Sequence, residues 1–176
     1  MKISKSFTLI EIIIVIGVIG MALPIFFTII LAILQQQTRI YALQEIKRQG
    51  DGIVASINNT IKNNAIEIYA DQAFTTAECS LAASSYSSAN GEDFFLKDRL
   101  GNWFNFHLLM PGASMASDSA VTHISLNNDK VTIDNFSISC YRRGAYTPPI
   151  VSLNFKVNYG STASLNYKTK VKLRSY

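Results

Sequence analysis

The strongest pattern in the sequence is an apolar run near its beginning. Phe7 to Leu34 is almost wholly apolar, and the 23 residues from Ile12 to Leu34 carry no charge. From Gln35 the chain turns polar but stays compatible with helix. Ile46, Ile53, Ile57, Ile61 and Ile68 recur at spacings that put them on one stripe. The pattern predicts one long helix from about Phe7 to about Tyr69, apolar all round in its first half and amphipathic in its second. Gly50-Asp51-Gly52 weakens that helix without ending it.

Beyond the helix the period changes to two. Residues 79–92, rich in Ser, Ala and Asn, read as a surface loop, and residues 111–120 are again loop-like. Between them, Phe94-Phe95-Leu96 and Trp103 to Leu108 flank Gly101-Asn102 and predict a hairpin. Val121 to Leu126 and Val131 to Ile133 flank Asn127-Asn128-Asp129-Lys130 and predict a second. Asp134-Asn135 then shifts the alternation, which predicts a bulge or bend before Phe136. Two clear strands follow. In the first, Val151, Leu153, Phe155, Val157 and Tyr159 alternate with polar residues; in the second, Leu165, Tyr167, Thr169, Val171 and Leu173 do. A long helix on an antiparallel sheet is an α+β layout.

The apolar run is long enough to matter. Twenty-three residues of helix rise about 35 Å, enough to cross a bilayer core of about 30 Å. Lys2 and Lys5 precede it, so the positive-inside rule keeps the N-terminus cytoplasmic and the rest outside. An ordinary secretory signal fits poorly, because its small-residue cleavage site follows its apolar stretch. Here the small residue, Ser6, comes before it, and a cut there would keep the membrane helix. Glu11 is the anomaly, since a carboxylate inside an apolar span needs a reason. Two readings stand: a residue reaching headgroups at the interface, or a partner charge for an amine created by cleavage before Phe7.

At this point the sequence Lys5-Ser6-Phe7-Thr8-Leu9-Ile10-Glu11, followed by Ile12-Ile13-Ile14-Val15-Ile16, resembles the processing site of type IV pilins and type II secretion pseudopilins. The resemblance covers about the first 30 residues. It implies that a prepilin peptidase cuts between Ser6 and Phe7 and methylates the Phe7 amine. It also implies that Phe7 and Glu11 guide docking in a filament. The family usually has Gly before the cut, where this chain has Ser6. The implied boundaries are a leader at 1–6, a membrane and filament-core helix at 7–34, and an amphipathic helix with a globular sheet domain at 35–176. The implied partners are other pilin subunits, the peptidase, an inner-membrane assembly platform and lipid. The implied location is the inner membrane, with the C-terminal domain outside, then a surface filament serving adhesion, motility, DNA uptake or secretion. Gly17, Gly20 and Pro24 interrupt the apolar helix. They read as a tolerated kink or, on the resemblance, as a segment that melts during assembly.

Charge and cysteine content add two features. Cys79 and Cys140 both lie beyond the apolar run; if that part is exported they can pair, and otherwise they are buried thiols. After Asp134 there is no acid but seven cations. Lys168, Lys170, Lys172 and Arg174 fall on one face of the last predicted strand. They read as a solvated or edge-protecting face, or as a patch for an anionic partner such as DNA. Catalytic signatures are missing: there is no GxSxG, P-loop, HExxH or CxxC. His107 and His123 read as isolated strand residues. Asn127, Asn128, Asp129 and Asp134 are oxygen donors whose spacing fits turn chemistry better than a calcium loop. No cofactor or metal is expected. The competing reading of the whole chain is an uncleaved signal anchor carrying a small extracytoplasmic binding domain.

Overall fold

The computed structural model describes residues 8–109 and 114–174. Ser6 and Phe7, with the leader, lie outside the described residues. Among the described residues the elements run in chain order as one helix, α1 (Leu9–Asn64), and ten strands: β1 (Glu67–Tyr69), β2 (Ala77–Glu78), β3 (Ser85–Ala89), β4 (Phe95–Lys97), β5 (Trp103–Leu108), β6 (Met115–Ser119), β7 (His123–Ser125), β8 (Thr132–Tyr141), β9 (Ile150–Tyr159) and β10 (Ala163–Lys172). The class is α+β, and all the strand pairs are antiparallel.

The chain divides into two compact units, at Tyr41 and Ala42. In the first, nearly every apolar side chain from Leu9 to Leu34 is exposed. That stretch of α1 is long and apolar enough to cross a membrane.

The second unit holds the core. There Ile46, Ile53, Ile57 and Ile61 form the buried stripe of α1 and are fully buried. One sheet has the order β2-β1-β4-β5-β6-β7, the other β10-β9-β8-β3. The stripe shares its core with Leu96, Phe104 and Phe106 of the first sheet and Ile138, Leu153, Phe155 and Val157 of the second. Long-range hydrogen bonds tie α1 to the second sheet or its flanks. Asn58 Nδ2 donates to Thr169 Oγ1 at 3.2 Å, and Asn128 Nδ2 donates to Glu45 at 3.0 Å. Gly50 permits the closest approach: a Cβ there would lie 2.2 Å from Cζ of Tyr167.

The helix ends sooner than the isoleucine spacing predicts. Ala65 N still donates to Ile61 O at 3.0 Å, but Ile66 N already donates to Lys97 O at 2.9 Å. Ile68 is buried in β1 instead of on the helix stripe. The spacing of seven from Ile61 fits both, and cross-strand pairing with β4 decides it.

The first hairpin forms as β4 and β5, with Phe95 opposite Asn105. Three expectations fail. The serine-rich stretch forms β3, an edge strand on β8, because an edge strand needs few apolar residues when the ladder supplies its backbone bonds. The loop expected at 111–120 contains β6, whose small residues pair with β5 and β7. The second expected hairpin does not form: β7 pairs with β6, and β8 pairs with β9. The bulge is present, with a register shift between Asp134 and Ser137 and Asn135 at φ 53°. The strand at 151–159 buries Val151, Leu153, Phe155 and Val157 as its alternation requires.

Candidate functional site

The first described residue explains part of Glu11. Thr8 sits just before α1 and Glu11 three residues later, the spacing of a capping box. Thr8 N donates to Glu11 Oε2 at 3.4 Å, and Glu11 N donates back to Thr8 O at 3.1 Å. The carboxylate thus satisfies a backbone donor at a helix start, where negative charge also suits the helix dipole. The Thr-x-x-Glu signature is readable in the sequence and was masked there by the apolar run. The helix continues through Gly17, Gly20 and Pro24. Just after the proline, Thr28 Oγ1 donates to Pro24 O at 2.7 Å.

The cysteines are bridged. Cys79 follows β2 and Cys140 lies in β8, so the disulfide joins the two sheets, with a Cα separation of 6.2 Å. Both are buried. Close by in sequence, Arg142 clamps two loops. Its guanidinium donates to Ser80 O, to Thr147 O at 2.8 Å and to Ala145 O at 2.6 Å. The loop from Arg143 to Thr147 is therefore held in place, and on it Tyr146 is 100% exposed.

The second sheet presents an open polar face. Alternation places Lys168, Lys170 and Lys172 of β10 outward, while Val171 is buried. The pairing puts these lysines in rows across the sheet. Lys172 aligns with Ile150, Tyr141 and Ser85; Lys170 with Ser152, Ser139 and Ser87; Lys168 with Asn154, Ser137 and Ala89. The Tyr141 ring lies 5.7 Å from Lys170 Nζ and 5.7 Å from the Arg143 guanidinium. Arg174 lies past the end of β10 and lines a cavity of about 170 Å³ with Glu67, Glu78, Arg142 and Pro149. The strand therefore brings three of the four predicted cations together, and the fourth lines a cavity apart from them.

The histidines are not isolated. His107 on β5 and His123 on β7 both approach Asp118 on β6. His123 Nδ1 pairs with its carboxylate, and His107 Nδ1 lies 3.8 Å from it. This grouping depends on β6, which the sequence did not reveal. The oxygens around 127–134 are used within the fold. Asn127 Oδ1 accepts from Met115 N at 2.8 Å, Asn128 Oδ1 accepts from Lys130 N at 3.1 Å, and Asp134 accepts from Asn158 Nδ2 at 2.6 Å. Among the described residues, no group of His, Cys, Asp and Glu is arranged to hold a metal ion.

Glu45 is the buried acid of α1. Arg48 donates to it from Nη2 at 2.6 Å and from Nε at 3.1 Å, with Asn128 and Gln49 adding hydrogen bonds. These partners, Arg48 foremost, hold its pKa down at about 2. Comparison with protein-family models, curated proteins and solved structures gave no match to this chain.

Proposed function

We propose that the chain is a structural subunit, a pilin or pseudopilin, of a type IV pilus-like filament. It inserts in the inner membrane through the first half of α1, with its second unit outside. A prepilin peptidase removes residues 1–6 and methylates the Phe7 amine. The helix then leaves the lipid and packs against the same segment of neighbouring subunits. One observation carries this reading: from Leu9 to Leu34, α1 offers uncovered apolar side chains with a single carboxylate, Glu11, at their start. Such a surface must be covered by lipid or by other helices. The α+β layout, a long helix with antiparallel sheets, is compatible with a pilin.

A second reading has its own support. The capping contact with Thr8 gives Glu11 a role within one chain, which a simple signal anchor would also use. Two experiments separate the readings. Intact-mass measurement of the mature protein should show loss of six residues and gain of one methyl group; an unprocessed mass would leave the anchor. In cells that make the filament, Glu11→Ala should still insert but should be lost from the sheared filament fraction. Glu11→Gln keeps a capping side chain and removes the charge. It should be lost as well; normal incorporation of Glu11→Gln would reduce Glu11 to a cap.

A further inference from the structure

The outward face of the second sheet has an unbalanced charge. Its outward strand positions include Lys168, Lys170, Lys172 and Lys156 but one acid, Asp134. Asp134 stands opposite Lys156 and accepts from Asn158, so it is occupied at the far end of the sheet. None of Lys168, Lys170 and Lys172 has a carboxylate ion pair among the described residues. Successive outward positions on a strand are about 6.7 Å apart, so the three ammonium groups repeat along roughly 13 Å of one edge. They repel one another unless a polyanion lies along them.

Two further features narrow the partner. Arg143 is exposed beside Tyr141, on the same side as Lys170. Tyr146, wholly exposed, sits on the loop that Arg142 clamps. That loop is at the Lys172 end of the sheet, where Leu173 N donates to Pro149 O at 3.0 Å. A basic track with one half-buried ring, Tyr141, and one exposed ring, Tyr146, beside it suits a backbone of repeating phosphates with unstacked bases. Hydroxyl and amide groups of Ser139, Ser152 and Asn154 fill the space between the lysine track and β3 and add donors for phosphate oxygens. Edge protection alone explains lysines on β10, but not the arginine and tyrosines beyond it.

We propose that this face binds single-stranded nucleic acid through its phosphates, with Lys168, Lys170, Lys172 and Arg143 as the charge track and Tyr146 as a base-stacking ring. The proposal is independent of the filament reading. The test uses the full chain in neutral detergent and a fluorescein-labelled oligothymidylate, followed by anisotropy. Saturable binding is expected at low salt. Three to four phosphate contacts give a slope of log affinity against log salt of about −2 to −3, hence a loss of roughly 20- to 50-fold between 50 and 200 mM salt. Replacing Lys168, Lys170 and Lys172 by Gln should cost more than about 10-fold and flatten that slope by about 2. Replacing the exposed Lys47, Lys62 and Lys130 by Gln removes the same charge elsewhere and should change little. Tyr146→Ala should weaken binding by roughly 10-fold with the slope unchanged. Three results would overturn the proposal: no saturable binding at 50 mM salt, equal loss in both triple variants, or displacement of the oligonucleotide by polyglutamate at equal charge.

Discussion

Gly50→Ala tests how tightly α1 is held against β10. Alanine is the better helix former by about 1 kcal/mol, so propensity alone predicts stabilisation. The packing reverses that sign. The new Cβ would meet Tyr167 at 2.2 Å from Cζ, 2.3 Å from Cε2 and 2.6 Å from the hydroxyl oxygen. Ordinary contact between carbons is about 3.5–4.0 Å, so the ring must retreat by more than 1 Å. It has little room to do so. Tyr167 stacks on the buried Phe155 with centroids 5.3 Å apart and planes 9° from parallel. Its hydroxyl also reaches the carbonyls of Ile46 and Lys47, each at 3.4 Å. Overpacking of this kind costs about 1–3 kcal/mol. We expect Gly50→Ala to destabilise the second unit by about 1–2 kcal/mol after the helix gain is counted. Gly52→Ala is the internal control, because nothing lies within 4 Å of its Cβ. It should stabilise by up to about 1 kcal/mol. Urea unfolding of the full chain in detergent, followed by circular dichroism, reads both. Tyr167→Ala in the Gly50→Ala background should cost less than the two separate losses combined. Equal midpoints for Gly50→Ala and Gly52→Ala would refute the packing argument.

Two further outcomes follow from side chains in the second unit. Glu45 has a folded pKa of about 2 against an ordinary 4.5, so its contribution is complete above pH 4.5 and is lost as pH falls towards 2. Glu45→Gln should therefore lower stability near pH 7 and flatten the decline between pH 4.5 and 2; an unchanged slope in urea midpoints would remove Glu45 from that decline. The disulfide closes a loop across a separation of 61 residues. Replacing both cysteines by Ala should cost roughly 4 kcal/mol in the loop-entropy account, and a loss under about 1 kcal/mol would show that the sheets are held together without it.

The parts of the fold legible in the sequence are those where burial writes a period. The isoleucine stripe marks the helix, and the alternation at Val151 to Val157 marks β9, because each buries one face in the core. β3 and β6 are illegible for the opposite reason. Serines and small residues pair by backbone bonds with neighbours that a linear reading does not place beside them. Without β6, the spacing pairs β7 with β8 and leaves His107, Asp118 and His123 apart, whereas β6 lies between β5 and β7 and joins them. The lysine ladder was visible as spacing, yet its aromatic and arginine company comes from β8 and the following loop. Only the sheet register brings those residues to the same side.

The contact between Gly50 and Tyr167 also constrains the order of folding. These positions are more than a hundred residues apart, as are Asn58 and Thr169, which are hydrogen-bonded. A segment made early is closed by a strand made much later. Until β10 arrives, the isoleucine stripe lacks part of its cover, and long loops must close before the contacts reward it. Folding of this unit is therefore expected to be slow and dependent on β10. During that interval the exposed stripe is open to non-native contacts and to aggregation.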